Sequence, residues 1–251
     1  MVIIKKSEQI MLMRKAGRIT AEALLVARDA IRPGVSTKEV DVKVRRFIEK
    51  CGAVPSFLGY GGFPGSACIS LNKEVIHGIP SDKVIIREGD IVKVDVGARY
   101  RGYNGDSART FAVGKVSDEA LRLISVTEQS FYEAMKVAKA GNRVGDIGHA
   151  VEQYVISNGF SVVKEYVGHG VGAELHEDPQ VPNYGTPGRG TRLYAGMTLA
   201  IEPMVNAGRS EVKVLKDGWT VVTEDGSLSA HYENSIAITD GDPIILTDAE
   251  N

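Results

Sequence analysis

Cysteine, long apolar runs and net charge are all scarce in this sequence of 251 residues. Its two cysteines, Cys51 and Cys68, are too few for a disulfide scaffold or a thiolate zinc site in a chain of this length. No segment approaches the roughly 18 apolar residues of a membrane span, and the first residues lack the apolar core of a signal peptide. We therefore expect a cytoplasmic protein that is not inserted in a membrane.

Neither sign of charge dominates, since 30 basic residues nearly balance 32 acidic ones to give a net charge of −2. A chain with almost no net charge has no strong electrostatic attraction to nucleic acid, so we expect no sequence-specific nucleic-acid binding. Hydrophobic residues make up 43% of the chain, which is enough to bury a substantial core. The function must therefore be sought in particular side chains.

An internal repeat organises the sequence. Gly34 corresponds to Gly141 and Gly52 to Gly159, both at an offset of 107 residues. Between these glycines, apolar residues recur in both copies at i, i+4, i+7 and i+8, which is the stripe of a helix that faces a core. The sequence therefore predicts one amphipathic helix in each copy.

Each of these helices follows a longer helical segment, roughly 8–30 in the first copy and 118–138 in the second. With the strand-like runs that come after the helices, the two copies extend over roughly 8–113 and 118–240. We interpret them as two related halves of a single domain that spans 1–251.

The same offset aligns Asp95 with Glu202, and each acid closes a strand-like run. Because side chains alternate along a strand, both acids point away from the apolar residues that precede them, such as Val94 and Ile201. These patterns predict an α+β fold with antiparallel strands and pseudo-twofold symmetry.

Asp106 follows Asp95 across a turn-rich stretch. A hairpin centred near residues 100–101 would set the two acids opposite each other. Like charges directly across an antiparallel pair are destabilising, so either a cation lies between them or one of them has a raised pKa. Either outcome marks a functional site.

Glu233 and His169 are the other candidate ligands. Glu233 faces away from the apolar residues of its strand-like segment, although a solvated acid at a strand edge would show the same spacing. His169 stands between Gly168 and Gly170, which permit a close backbone approach. A phosphate cradle is disfavoured here, because no Gly-Lys-Ser/Thr follows.

Several carboxylates with one imidazole suit Mn, Fe or Co better than a closed structural zinc site. Two such ions sharing carboxylates would generate a bridging hydroxide as the nucleophile at neutral pH. No Gly-x-Ser-x-Gly motif occurs, so a serine nucleophile of that kind is disfavoured. Hydrolysis is the chemistry that this donor set implies.

The segment from Tyr166 to Tyr184, YVGHGVGAELHEDPQVPNY, resembles the signature of the type I methionine aminopeptidases. The resemblance extends through Gly102–Asp106, Ile201–Val205 and Asp217–Thr220, and so covers essentially the whole chain. It implies a pita-bread fold and removal of the initiator methionine from peptides and nascent chains, with a preference for a small second residue. It also implies two divalent ions (Co, Mn, Fe or Zn), action at the ribosome and a monomer.

The resemblance also implies roles for individual residues. Glu202 would transfer protons as well as bind metal, and two histidines would hydrogen-bond the scissile peptide and its tetrahedral intermediate. The metal ligands would be Asp95, Asp106, His169, Glu202 and Glu233. The two histidines would be His77 and His176. The methionine pocket would be lined by Tyr60, Phe63, Cys68, Leu175 and Trp219, with His77 at its rim. Phe63 and Leu175 stand where the family often has tyrosine and phenylalanine, and Asn234 stands where histidine is expected.

Two alternatives share this fold. Proline-directed peptidases usually carry an additional N-terminal domain, for which this chain has no room. A non-catalytic binding homologue would not need all five ligands, which are intact here. The position equivalent to His169 at the repeat offset is Gly62, so one metal should have an imidazole ligand and the other only oxygen ligands. We therefore expect unequal metal affinities.

Overall fold

The computed structural model describes residues 1–249 and contains the four predicted helices. Serine residues are the N-caps of two of them: Ser36 accepts a hydrogen bond from the Glu39 amide, and Ser117 accepts one from the Ala120 amide. None of the helices in this part of the chain is long and apolar enough to cross a membrane. The helices are α1 (Ser7–Ala30), α2 (Thr37–Lys50), α3 (Asp118–Val137) and α4 (Val144–Ser157).

The strands that precede α3 are built around one long hairpin. Its second strand runs along one edge of the first, and two shorter strands follow each other along the opposite edge. The five strands are β1 (Val54–Pro55), β2 (Ala67–Leu71), β3 (Glu74–Ile76), β4 (Ile91–Tyr100) and β5 (Tyr103–Ala112). The hairpin is formed by β4 and β5.

The predicted register of this hairpin is wrong by two residues. The turn consists of Arg101 and Gly102, both with positive φ, because a two-residue turn of this kind matches the twist of the strands. Asp95 therefore pairs with Ala108, and Asp106 pairs with Gly97. The two acids are diagonal neighbours on one face of the sheet rather than directly opposed.

The strands that follow α4 form a five-stranded sheet, a three-stranded sheet, and two strands of a second three-stranded sheet. They are β6 (Ser161–Val162), β7 (Gly168–Gly170), β8 (Glu177–Val181), β9 (Thr198–Ile201), β10 (Met204–Asn206), β11 (Val212–Val214), β12 (Val221–Thr223), β13 (Ser229–His231), β14 (Asn234–Ala237) and β15 (Ile244–Ile245). The sheet orders are β15-β14-β9-β7-β8, β13-β10-β6 and β11-β12-β3, so β3 joins strands of the second half.

The central strand β9 places the candidate ligands His169 and Glu202 side by side. Ala200 of β9 pairs with His169 on one side and with Ser235 on the other. Glu202, two residues after Ala200, is therefore a diagonal neighbour of His169. Glu233 lies between β13 and β14 rather than within a strand, and its backbone exchanges hydrogen bonds with Ala108 of β5.

Two apolar clusters support these sheets from outside. In the first half, residues of α1 and α2 pack with Val92, Val94 and Val96 of β4. In the second half, residues of α3 and α4 pack with Leu199 and Ile201. The prediction that Asp95 and Glu202 face away from these residues is thereby confirmed. The assignment of 1–251 to one domain stays a prediction, and its last two residues lie outside the described range.

Candidate metal centre and substrate cavity

Four carboxylates and one imidazole meet where the two halves face each other. One ligand atom from each of Asp106, His169 and Glu233 lies within 4.8 Å of the other two. The Nε2 atom of His169 is 3.6 Å from Glu202 Oε1 and 3.8 Å from Asp106 Oδ2. Asp95 lines the same cavity as these four residues. The structure thus brings the five predicted ligands together.

The carboxylates of this cluster lack the partners that buried acids normally require. The Oδ1 atoms of Asp95 and Asp106 are buried and accept no hydrogen bond from residues 1–249. Burial raises the pKa of Asp95 to about 7. Burial, followed by mutual repulsion, raises the pKa values of Asp106, Glu202 and Glu233 well above their usual range. Divalent cations at this position would satisfy the orphaned oxygens, so the residues fit a metal site.

His169 is oriented as a neutral ligand. Its Nδ1 atom is 2.8 Å from the carbonyl oxygen of Gly170, an arrangement that places the ring proton on Nδ1 and directs the free Nε2 toward the carboxylates. Burial lowers the pKa of His169 to about 3, with a smaller contribution from His176. A β-carbon at Gly168 would collide with the carbonyl oxygen of Ala200, so glycine is required for this close approach.

Backbone contacts hold the acidic residues in place. The side chain of Asn183 donates to the carbonyl oxygen of Glu202 at 2.9 Å. The hydroxyl of Ser235 accepts from the amide of Asp106 and donates to its carbonyl oxygen, both at 2.9 Å. The two Ser235 contacts link the two halves, because Asp106 lies on β5 and Ser235 on β14.

Asn234 also takes part in this support, although the family resemblance implies histidine at its position. Its Oδ1 atom accepts hydrogen bonds from Arg109 Nη2 at 2.8 Å and from Thr247 at 2.9 Å. Arg109 also donates through Nη1 to the carbonyl oxygen of Glu233 at 2.6 Å. The asparagine therefore anchors an arginine that holds the backbone of a candidate ligand.

His77 and His176 project into the cavity from opposite halves. His77 has a φ of +60°, which is unusual for a residue with a side chain and is typical of strained functional positions. Burial lowers its pKa to about 4. The Nδ1 atom of His176 lies 2.7 Å from the hydroxyl of Tyr60, and partial burial of its ring lowers its pKa as well. Both imidazoles are therefore neutral near pH 7.

A cavity of about 170 Å³ joins the acidic cluster to an apolar recess. In the recess, Phe63 meets Trp219 edge-on at 5.2 Å between ring centroids, beside Cys68 and Leu175. All of the predicted site residues line this cavity, and Phe57 lines it too. The sequence contains no signal for Phe57, because an isolated aromatic residue in a loop belongs to no periodic pattern.

Two further residues border the site without having been assigned to it. Tyr166 packs edge-on against His77 at 5.8 Å. His231 is buried, its Nε2 atom lies 3.7 Å from Glu202 Oε2, and neither ring nitrogen has a hydrogen-bond partner among residues 1–249. His149 lies on α4 and does not line the cavity.

Comparison with known proteins accounts for this combination of acids, imidazoles and an apolar recess. Residues 11–240 match the model of metallopeptidase family M24. The chain belongs to this family. A methionine aminopeptidase from Clostridium acetobutylicum is 56% identical over 247 residues, which cover 98% of this chain and 99% of that relative.

Solved M24 structures show the same architecture. The crystal structure of methionine aminopeptidase from Thermotoga maritima has a TM-score of 0.97 and 48% identity, covering 99% of this chain and 100% of that one. A prolidase from Pyrococcus furiosus has a TM-score of 0.79 and 26% identity, and this chain covers 66% of it. The resemblance to the type I methionine aminopeptidases and the pita-bread fold of this M24 peptidase are thereby confirmed.

Proposed function

We propose that this M24 peptidase removes N-terminal methionine from peptides and nascent proteins by metal-dependent hydrolysis. One observation carries the proposal: the apolar recess and the acidic cluster share a single cavity. A methionine side chain in the recess would place the peptide bond that follows it beside the candidate metal ligands. An unbranched, polarizable thioether suits a narrow recess lined by Phe63, Cys68, Leu175 and Trp219.

Two divalent ions form the second part of the proposal. Asp95, Asp106, His169, Glu202 and Glu233 would hold them, with Co, Mn, Fe or Zn as the candidate elements. When bound, such ions activate a water molecule as the nucleophile and polarise the scissile carbonyl. Because His169 is the single imidazole in the set, the two sites should differ in affinity. Stepwise calorimetric titration that showed two identical sites would contradict this asymmetry.

Glu202 and the two cavity histidines would carry out the proton transfer and charge stabilisation. The side chain of Glu202 lies 3.6 Å from His169, beside the other ligands, where it can take the proton of the attacking water and pass it to the leaving amine. His77 and His176, both neutral near pH 7, would donate hydrogen bonds to the scissile peptide and to the oxyanion that develops on it. The hydrogen bond with Tyr60 would orient His176 for this role.

Peptide hydrolysis with and without metal tests the proposal. Metal-stripped protein is incubated with Met-Ala-Ser and with an Xaa-Pro peptide, first in chelator and then with Mn(II) or Co(II). We expect methionine to be released only when metal is present. Turnover of the Xaa-Pro peptide alone would favour a proline-directed peptidase, whereas activity that resists chelation would exclude metal dependence.

Substrate preference and cellular setting complete the proposal. We infer that a small second residue is preferred, that the enzyme is a cytoplasmic monomer, and that it meets nascent chains at the ribosome. The near balance of 30 basic and 32 acidic residues is consistent with transient rather than strong binding to the ribosome. Turnover of a Met-Xaa-Ser peptide series, sedimentation equilibrium and co-sedimentation with translating ribosomes test these three points.

A further inference from the structure

Lys93 is buried to an extent that is rare for lysine. Its side chain is among the largest fully buried ones, with 1% of the residue exposed, whereas lysine is almost never fully buried without a partner. It lies on β4 two residues before Asp95, so both side chains project from the same face of the strand. The ammonium group therefore lies between the two halves, on the side of the metal centre.

Two backbone carbonyl groups hold this ammonium group. Lys93 Nζ donates to the carbonyl oxygen of Asn72 at 2.7 Å and to that of Ser229 at 2.9 Å. Asn72 lies between β2 and β3 in the first half, and Ser229 begins β13 in the second. The carbonyl oxygen of Asn72 also accepts from the Ser229 amide at 3.0 Å. The contact joins three separate segments at one point.

These segments lead directly to candidate metal ligands. β13 runs from Ser229 to His231, and the chain then reaches Glu233. No strand ladder pairs β13 with β4 among residues 1–249. Instead, Lys93 bridges the strand that carries Asp95 to the start of the segment that carries Glu233.

A side chain that donates two hydrogen bonds is the feature that this position requires. The lysine makes no ion pair with a carboxylate within residues 1–249, and its hydrogen-bond partners there are the two carbonyl oxygens. Two carbonyl oxygens directed toward one point repel each other, and an ammonium group between them offsets that repulsion. An apolar side chain of the same length would remove both hydrogen bonds and allow the segments to separate.

We propose that Lys93 is a positioning residue for the metal centre: its ammonium group, held by Asn72 and Ser229, sets the distance between Asp95 and Glu233. The proposal rests on the metal site of the proposed function. It concerns the geometry of the ligands, and Lys93 itself touches neither metal nor substrate.

Substitution of Lys93 by methionine tests this role. Lys93→Met is compared with Lys73→Met, the same change at an exposed lysine beside Asn72. For the first variant we expect Mn(II) affinity to fall by about 10–100-fold, as when other groups that orient metal ligands are removed. Turnover number should fall with it while KM for Met-Ala-Ser changes little, because the methionine recess is untouched. Calorimetry on metal-stripped protein, well below the unfolding temperature, measures the affinity independently of turnover.

The contrary result is equally clear. If Lys93→Met lowers only the unfolding temperature, and binds Mn(II) as tightly as Lys73→Met does, then the lysine serves stability alone and the proposal is overturned. A wild-type protein that bound Mn(II) but released no methionine would refute the proposed function, yet the affinity comparison would still decide the role of Lys93.

Chemical rescue covers the case in which Lys93→Met does not fold. Lys93→Ala leaves a space in which methylammonium can donate to both carbonyl oxygens, whereas tetramethylammonium carries the charge without any N–H group. Restoration of Mn(II) binding by methylammonium but not by tetramethylammonium supports the proposal. Failure of methylammonium to restore folding or binding, or equal binding without it, overturns the proposal.

Discussion

Metal binding to this protein should release protons. Near pH 7 the metal-free cluster should retain protons, because burial raises the pKa of Asp95 to about 7, and burial with mutual repulsion raises the pKa values of Asp106, Glu202 and Glu233 well above their usual range. Metal ligands must be deprotonated, so bound ions displace these protons. His169 contributes none, because its pKa is lowered to about 3 and the ring is already neutral.

The magnitude follows from the composition of the cluster. The buried carboxylates repel one another, so a proton shared between two of them is released when metal binds, as in other acid pairs that share a proton. Each proton released strengthens binding about tenfold per pH unit, equivalent to about 1.4 kcal/mol. With at least one proton released, Mn(II) affinity should therefore rise by about tenfold or more from pH 6.5 to 7.5. The sign is definite: raised carboxylate pKa values oppose binding at low pH and cease to do so as pH increases.

Calorimetry in several buffers measures this directly. Mn(II) is titrated into metal-stripped protein at pH 7 in buffers with different enthalpies of ionisation, and the dependence of the observed enthalpy on that quantity gives the number of protons released. Glu202→Gln, which lacks one ionisable group, should release fewer. An affinity that does not change between pH 6.5 and 7.5, with no buffer dependence of the enthalpy, would refute the protonated cluster.

Three further predictions concern single side chains. Glu202→Gln should fold normally but lose turnover by about 10²–10⁴-fold, as expected for removal of a proton-transfer group, and wild-type turnover would reject that role. Lys5 and Glu177 form an ion pair with side chains 2% and 4% exposed. Lys5→Met should lower the free energy of unfolding in urea by about 3–5 kcal/mol, because it leaves the Glu177 carboxylate buried without its partner. The double variant, Lys5→Met with Glu177→Met, should recover most of that loss. A cost below about 1 kcal/mol for Lys5→Met would contradict the burial of the pair. Tyr60→Phe removes the 2.7 Å contact with His176 and should lower kcat more than it raises KM, as steady-state kinetics will check.

The repeat made much of the metal centre predictable. Because the two halves are related, the alignment of Asp95 with Glu202 identified equivalent positions, and strand alternation showed which way each acid points. The family resemblance, strongest in the segment from Tyr166 to Tyr184, implied the roles of the histidines and of the residues of the recess. These signals are local in sequence, so they could be read without coordinates.

Other features depend on contacts between distant segments. The register of the β4–β5 hairpin was wrong by two residues, because the turn formed at Arg101 and Gly102 rather than one residue earlier. Phe57 reaches the cavity only through the path of its loop. The left-handed conformation of His77 follows from its surroundings, since positive φ is uncommon for any residue that has a β-carbon.

Sequence alone determined the class of fold, the four helices and the choice of candidate ligands, because periodicity, glycine placement and the type of donor atom follow from the order of residues. Tertiary structure decided the distances between the candidate ligands and how deeply they are buried. Four carboxylates became a buried cluster with raised pKa values only when β4, β5, β9 and the segment before β14 met. Lys93 shows the same dependence, since a lysine in an apolar strand acquired its role when carbonyl groups from two other segments converged on it. Burial and long-range pairing are properties of the folded chain, and no local pattern encodes them.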